Sequence, residues 1–212
     1  MQYLKSYSLI DVYENEEKLK DKKNITIRFN IGSSDKTLTK EEIDEERIKK
    51  DDFVSVIEIS KNGRNKYELD KETGRLRLDR VLYTSTHYPA NYGFIPHTYC
   101  GDHDPLDVLV ICSEAILPMT ILNCKPIGVL KMLDQGDEDE KILAVPCNDP
   151  DYSIYNDISE LPLHMQDEIR HFFSVYKTLE GKETIVKEVY GRNDAKEAIK
   201  RAIKLYEDTF EK

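Results

Sequence analysis

The chain has 212 residues, of which 34% are charged and 39% hydrophobic, with a formal net charge of −10. That length fits one domain, or one domain with extensions, and is enough to bury a real core. The acidic balance argues against a broad nucleic-acid partner, but a small anionic substrate stays compatible if local cations or metal ions offset the charge.

The opening residues, MQYLKSYSLIDVYENEEKLKD, have no apolar run of signal-peptide type and are too acidic for a mitochondrial transit peptide. No segment has the length of apolar run that a membrane span needs. The expectation is a soluble cytoplasmic protein without a membrane partner. Residues 1–52 are polar and mixed and are expected to form an N-terminal extension. Within it Ile25, Ile27, Phe29 and Ile31 alternate on one face, a strand signal. Thr39 and Glu42 stand at capping-box spacing, which fits a short solvated helix or a charged connector.

From residue 53 the pattern changes. Short strand-like runs (FVSVIEI, KYELD, RLRLD, DVLVIC, PIGVLKML and ILAVP) follow one another with turn signals between them. That spacing suggests a barrel or sandwich rather than βαβ units. Two helices come late. One is expected over roughly 162–179, with Ile169, Phe172, Phe173 and Tyr176 along one face and Gly181 just beyond. The other is expected over roughly 195–210, with a capping-box-like Asp194 and Glu197 and an apolar stripe from Ala195 to Tyr206.

The chemistry-bearing residues are mostly acids and cations. Asp102, Asp104 and Asp107 crowd into GDHDPLDV, where strand propensity disfavours them. A solvated turn is the plain explanation. An EF-hand is excluded, because the sixth position from Asp102 is Asp107 rather than Gly and the twelfth is Ser113 rather than Glu. If the backbone is extended, Asp102 and Asp104 point the same way, with Asp107 just past Pro105. Three converging carboxylates require something positive between them. A second acidic group, DQGDEDEK from Asp134 to Lys141, lies between two strand-like runs and reads as a solvated hairpin loop. Glu58 lies inside an apolar strand. It either faces an enclosed polar cavity on the Val56 side or sits on an edge strand facing water. Lys66 and Glu68 share one strand face, and Arg75, Arg77 and Asp79 alternate with leucines ahead of Arg80. Each of these also fits a solvated strand face. Tyr92 fits core packing or could present its hydroxyl to a site, and Tyr176 continues the apolar face of its helix and fits core packing.

Cysteines stand at 100, 112, 124 and 147 without a C-x-x-C pair, so four reduced, mostly buried thiols are expected. A zinc site from Cys100, His103 and Cys112 fits no standard spacing. The chain has no G-x-S-x-G, no H-x-x-x-H and no P-loop. Carboxylates with Lys, Arg and Tyr suggest metal-assisted chemistry. Oxygen ligands favour Mg²⁺ or Mn²⁺ over zinc, and the cations favour a phosphate substrate.

The ordered motifs KYELDKETGRLRLDR, YPANYGFIP, DHDPLDV, PIGVLKMLDQGDEDEKILAVP and LPLHMQDEIRHFFSVYK resemble the soluble family I inorganic pyrophosphatases, from about residue 54 to 178. DQGDEDEK and NDPDY look closer to plant and protist members. The resemblance implies a mainly β, α+β fold: a five-stranded, OB-like closed barrel with two C-terminal helices packed outside, occupying residues 53–212. It implies Mg²⁺-dependent hydrolysis of pyrophosphate, taken as its Mg²⁺ complex, with several ions and Mn²⁺ as a substitute. By position, Asp102, Asp107 and Asp139 would hold the tightest metal, and Glu58 and Asp134 would join Asp139 in holding further ions. Lys66, Arg80, Tyr92, Lys141, Tyr176 and Lys177 would contact phosphate oxygens. Asp104 would be the general base, with Glu68 in the metal and water network. A homo-oligomer is compatible with the resemblance. His103 stands where the family commonly has a small or polar residue, and the usual tryptophans near the end are replaced by KETIVKEVYGR. The rivals are a non-catalytic metal- or anion-binding module and an OB-type nucleic-acid binder. The complete residue set weighs against the first, and the acid clusters weigh against the second.

Overall fold

In a computed structural model the described residues are 4–13, 24–31 and 52–210, the first two segments by backbone alone. The chain divides into two compact units, one of residues 1–50 with 68–77 and one of residues 51–67 with 78–212. In the first unit, β1 (Leu4–Tyr13) pairs antiparallel with β2 (Asn24–Ile31). The expected strand over 24–31 therefore has a partner that the mixed composition of residues 4–13 concealed. The helix or connector expected from Thr39 lies outside the described residues.

β4 (Asn65–Asp70) and β5 (Arg75–Val81) form a two-stranded sheet. The main sheet runs β10 (Thr184–Gly191), β8 (Ile121–Asp134), β3 (Phe53–Ile59), β6 (Asn91–Phe94), β7 (Asp107–Val110), β9 (Asp137–Pro146). β9 also pairs with β8, and β7 runs parallel to β9 while the other pairs are antiparallel.

Alternation along the strands sorts the core into two faces. Leu109 and Leu143 join Leu130, Phe172 and Phe173 in one cluster, while Val108, Val110, Ile142 and Ala144 join Val129 in the other. Helix α1 (Leu163–Val175) covers the first through Ile169, Phe172 and Phe173. Helix α2 (Arg192–Phe210) covers the second through Ala195, Ala198, Ile199 and Ala202. Each fully buried leucine or isoleucine contributes about 1.5–3 kcal/mol.

Gly93 on β6 faces the β3 backbone so closely that an added Cβ would lie 1.9 Å from the Val56 carbonyl oxygen. That contact is with backbone, which cannot rotate away. Gly93→Ala is expected to cost at least about 3 kcal/mol, read as a shift in urea midpoint.

Several sequence expectations need correction. The expected helix over 162–179 ends at Val175, and a separate 3-10 turn, Thr178–Glu180, follows before left-handed Gly181. The second helix starts earlier than 195. Its first amide, Arg192 N, donates to Asp157 Oδ2 at 2.9 Å, so a distant aspartate caps it in place of an Asp194–Glu197 box. KETIVKEVYGR supplies an extra strand, β10, antiparallel to β8. The acidic DQGDEDEK is no loop. Only Gln135 and Gly136, both at positive φ, make the turn, a two-residue connection of the kind whose twist matches paired strands. Asp137 to Lys141 belong to β9.

Asp149, after β9, ties its loop to the end of β7. It accepts from Ser113 N at 2.8 Å, Ser113 Oγ at 3.1 Å and Asp151 N at 2.9 Å. Burial alone would raise its pKa. The backbone donors of Ser113 and Asp151 win and hold it at about 2, below the ordinary 3.8. A depressed carboxylate stabilises the fold above its unfolded pKa, and that contribution fades as pH falls through the folded value. Asp149→Ala should cost about 1–3 kcal/mol at neutral pH. It should also flatten the loss of stability between pH 3.8 and about 2, measured as urea midpoints across that range.

Candidate active site

β9 places Asp139 and Lys141 on one face, two residues apart. The parallel register sets Lys141 beside Asp107, and Tyr92 lies diagonally opposite Asp107 across β6 and β7. The outcome is a buried ammonium, 3% exposed, at 2.7 Å from Asp107 Oδ2 and 2.8 Å from Asp139 Oδ2. Lys141 Nζ also donates to Tyr92 Oη at 3.3 Å, and Tyr92 donates its hydroxyl hydrogen to Asp107 Oδ2. Phe173 and Tyr92 present ring faces to the ammonium at 5.5 and 5.6 Å.

The electrostatics follow from that crowding. Burial alone would lower the Lys141 pKa, but Asp107 and Asp139 raise it well above the ordinary value, so the ammonium keeps its proton. Burial and the negative charges of Asp107 and Asp102 push the Asp139 carboxyl above its usual range, against the pull of Lys141. One lysine does not offset the acids gathered here.

Asp102 and Asp104 sit in the exposed turn ahead of β7. The extended backbone expected there is not what forms. His103 adopts a left-handed φ of 71° and Asp104 N donates to Asp102 Oδ1 at 3.1 Å. The carboxylate of Asp102 thus satisfies its own loop, as aspartates do in turns. Partial desolvation and the charges of Asp107 and Asp104 push the Asp102 carboxyl up, against that hydrogen bond. His103 turns its Nδ1 to Tyr99 Oη at 2.8 Å, and Tyr99 packs edge-on against Phe210 of α2 at 5.0 Å.

At the far end of the β8–β9 hairpin, Lys177 Nζ donates to Asp134 Oδ2. Asp134 Oδ1 is buried and has no hydrogen-bond partner among the described residues. Tyr176, 5% exposed, stacks on Phe172 at 5.3 Å and lies under the Lys177 ammonium. It therefore serves both the core and the site wall. Burial raises its pKa despite Lys141, so its hydroxyl stays protonated.

A third group lines the β4–β5 hairpin. Lys66 Nζ lies 3.7 Å from Asp79 Oδ2, Asp79 accepts from Arg80 Nη1, and Arg80 Nε donates to Glu180 Oε1 at 2.9 Å. Sequence patterning gives Asp79 only a place on a charged strand face and gives Glu180 no role. Glu180 has one local signal, its place before a left-handed glycine, which says nothing of an arginine a hundred residues away. Glu58 is 9% exposed on β3, a strand flanked on both sides, so the edge-strand reading fails. The β3–β6 register shifts between Ile57 and Ile59, and a bulge of this kind re-aims the residue it carries. Glu68 is exposed on β4, within the unit that also contains residues 1–50.

Among the described residues, no three His, Cys, Asp or Glu side chains are gathered as a ready cage for an ion. The ammonium of Lys141 stands between two of the carboxylates. The zinc reading fails on the same ground, and Cys100, Cys112, Cys124 and Cys147 are all unbridged. No helix of the described residues is long and apolar enough to cross a membrane.

Comparison with known proteins adds an independent line. Residues 55–207 match the family model for inorganic pyrophosphatase, and residues 1–50 match that for a ferredoxin-fold anticodon binding domain. Soluble inorganic pyrophosphatase 2 of Chlamydomonas reinhardtii is 50% identical over 159 residues, covering 74% of this chain and 83% of its own. Soluble inorganic pyrophosphatase 4 of Arabidopsis thaliana is 51% identical over 156 residues, covering 74% and 72%. The solved inorganic pyrophosphatase of Helicobacter pylori superposes with a TM-score of 0.72 at 44% identity, covering 74% of this chain and 94% of that one. That of Thermus thermophilus gives 0.72 at 36% identity, covering 74% and 92%.

Proposed function

The chain belongs to the inorganic pyrophosphatase family, and from that premise we propose how its residues hydrolyse pyrophosphate to two orthophosphates. The observation that carries the reading is the buried Lys141 ammonium held between half-buried Asp107 and Asp139 beside Tyr92, which joins a cation to an excess of carboxylate.

The donors fit hard divalent ions. They are all oxygen, they outnumber their local cation, and Asp134 Oδ1 is a buried acceptor with no hydrogen-bond partner among the described residues. Asp102, Asp107 and Asp139 would hold the tightest Mg²⁺, and Asp134 and Glu58 would hold further ions with Asp139. Mn²⁺ would substitute for Mg²⁺. Bound there, such ions supply charge that acidifies water from a pKa of about 15.7 toward 7 and offsets charge on the phosphoryl oxygens.

The chain's own groups do the rest. Asp104, exposed and outside the buried cluster, accepts a proton from the attacking water as its oxygen bonds to phosphorus. The bridging P–O bond then breaks, and the second phosphate leaves with its electron pair. Lys66, Arg80, Lys141 and Lys177 neutralise the phosphate oxygens, and Tyr92 and Tyr176 donate hydroxyl hydrogens to them. Glu68 takes part in ordering water. These assignments rest on the order of the motifs and on the charge chemistry of the groups.

We read the ring of pairings β8-β3-β6-β7-β9-β8 as the five-stranded OB-like barrel, with α1 and α2 outside. Residues 53–212 then form the catalytic domain and 1–52 an extension, supported by family matches that end at 50 and begin at 55. Residues 1–50 carry as many acidic as basic side chains, so they lack the positive field that RNA backbones require. A cytoplasmic location and a homo-oligomer fit this reading.

The test is orthophosphate release from pyrophosphate with millimolar Mg²⁺ and with a chelator. Release that depends on Mg²⁺ supports the assignment. Absence of release at any Mg²⁺ or Mn²⁺ concentration overturns it.

A further inference from the structure

Arg80 ends the charged face of β5, and both of its nearest partners are acids. Its Nε donates to Glu180 Oε1 at 2.9 Å and its Nη1 to Asp79. The Glu180 side chain is only 7% exposed and that of Arg80 20%. Glu180 is itself held rigidly. It closes the 3-10 turn Thr178–Glu180, its amide donates to Lys177 O at 2.9 Å, and left-handed Gly181 stops the chain behind it. The same turn begins at Lys177, whose ammonium reaches Asp134. One short turn therefore fixes two cations.

A guanidinium is planar, so fixing two of its nitrogens fixes the direction of the third. Asp79 and Glu180 take Nη1 and Nε. Nη2 has no hydrogen-bond partner among the described residues. A carboxylate at Nε also keeps the positive charge of Arg80 in place before substrate arrives, so less ordering is required when it binds.

We propose that Glu180 is a positioning residue for pyrophosphate, holding Arg80 by its Nε edge so that Nη2 is presented to a phosphate oxygen. The proposal rests on the reading of Arg80 as a phosphate contact. It assigns Glu180 no contact with substrate and no part in proton transfer. Its effect must then pass through Arg80, and it must appear in binding rather than in the chemical step.

The experiment compares KM and kcat for Mg²⁺-pyrophosphate in wild type, E180A, E180Q, E180D, R80A and the double variant R80A/E180A. E180A is expected to raise KM about tenfold with kcat within about twofold. E180Q keeps an oxygen acceptor for Nε–H and is expected to stay within about threefold of wild type. E180D keeps the charge but draws it back by a methylene, so it should behave like E180A, and it serves if E180A does not fold. The double variant should match R80A alone, because two residues acting as one unit do not add. An unchanged KM in both E180A and E180D overturns the proposal. So does a fall in kcat at constant KM, or an E180A effect as large on the R80A background as in wild type. If R80A leaves KM unchanged, the reading of Arg80 fails first. If R80A raises KM and the Glu180 variants do not, only the role of Glu180 fails.

Discussion

Replacing Asp104 by asparagine is expected to lower kcat for orthophosphate release by about 10²- to 10⁴-fold, the usual contribution of a positioned general base. Asparagine matches aspartate in shape and keeps one carbonyl oxygen, but it cannot take a proton at neutral pH. The surrounding turn should survive, because Asp104 contributes its backbone to it. Asp104 N donates to Asp102 Oδ1 at 3.1 Å and Asp104 O accepts from Cys100 N at 2.9 Å. Those bonds are the same for either side chain. The urea midpoint of D104N should therefore correspond to a loss of no more than about 1 kcal/mol, the size of one exposed side-chain interaction. Mn²⁺ affinity by titration calorimetry should also stay within about threefold, since Asp102 and Asp107 are untouched. A variant with normal kcat would move the base elsewhere. A variant with weakened Mn²⁺ binding as well would make Asp104 a ligand rather than a base.

The grouping of Asp102, Asp104 and Asp107 in a turn ahead of β7 is legible in the sequence because these neighbours along the chain are also neighbours in space. The triplet, Pro105 and the following strand form one local unit, and local units are what sequence periodicity reports. The same holds for the apolar stripe of α2, whose Ala195, Ala198, Ile199 and Ala202 all face the core. The misread, undecided and missed residues are those whose environment is set from a distance. Asp157 caps α2 from a loop far back in the chain, so Asp194 could not reveal where the helix begins. Glu58 stands where β3 changes register against β6, and a register shift is a property of the pair. DQGDEDEK reads as a solvated loop because its charges outweigh its two-residue turn. On β9 those charges are tolerated because Lys131, Lys141 and Arg201 reach Asp139 and Glu140 from other elements or along the strand. The partnership of Glu180 with Arg80 spans a hundred residues and leaves no local trace.

Lys141→Met is the substitution expected to do the greatest combined damage. Methionine fits the space of the alkyl stem and can lie against Tyr92 and Phe173, so packing is largely kept. The ammonium is what disappears. Asp107 and Asp139, both half-buried, then face each other without the ammonium, with Tyr92 still donating to Asp107. Removing one partner of a buried ion pair costs about 3–5 kcal/mol, because the remaining charge is left uncompensated. The loss should depend on pH in a definite direction. The Asp139 carboxyl already lies above its usual range through burial and its acidic neighbours, and without Lys141 it rises further. A carboxyl with a raised folded pKa binds its proton more readily in the native state. The variant should therefore regain stability as pH falls through that raised value toward the unfolded one. Millimolar Mg²⁺ should also restore part of the deficit at neutral pH, since any cation bound among these acids binds the folded form alone. Urea midpoints of K141M at pH 5 and pH 8, each with Mg²⁺ and with chelator, separate the two effects. Activity should stay low even where Mg²⁺ restores stability, by about 10²- to 10³-fold, if Lys141 is, as proposed, a cation that meets the phosphate oxygens. A K141M protein as stable as wild type in chelator would mean that the two carboxylates do not depend on the lysine, and the buried cluster would lose its place at the centre of the site.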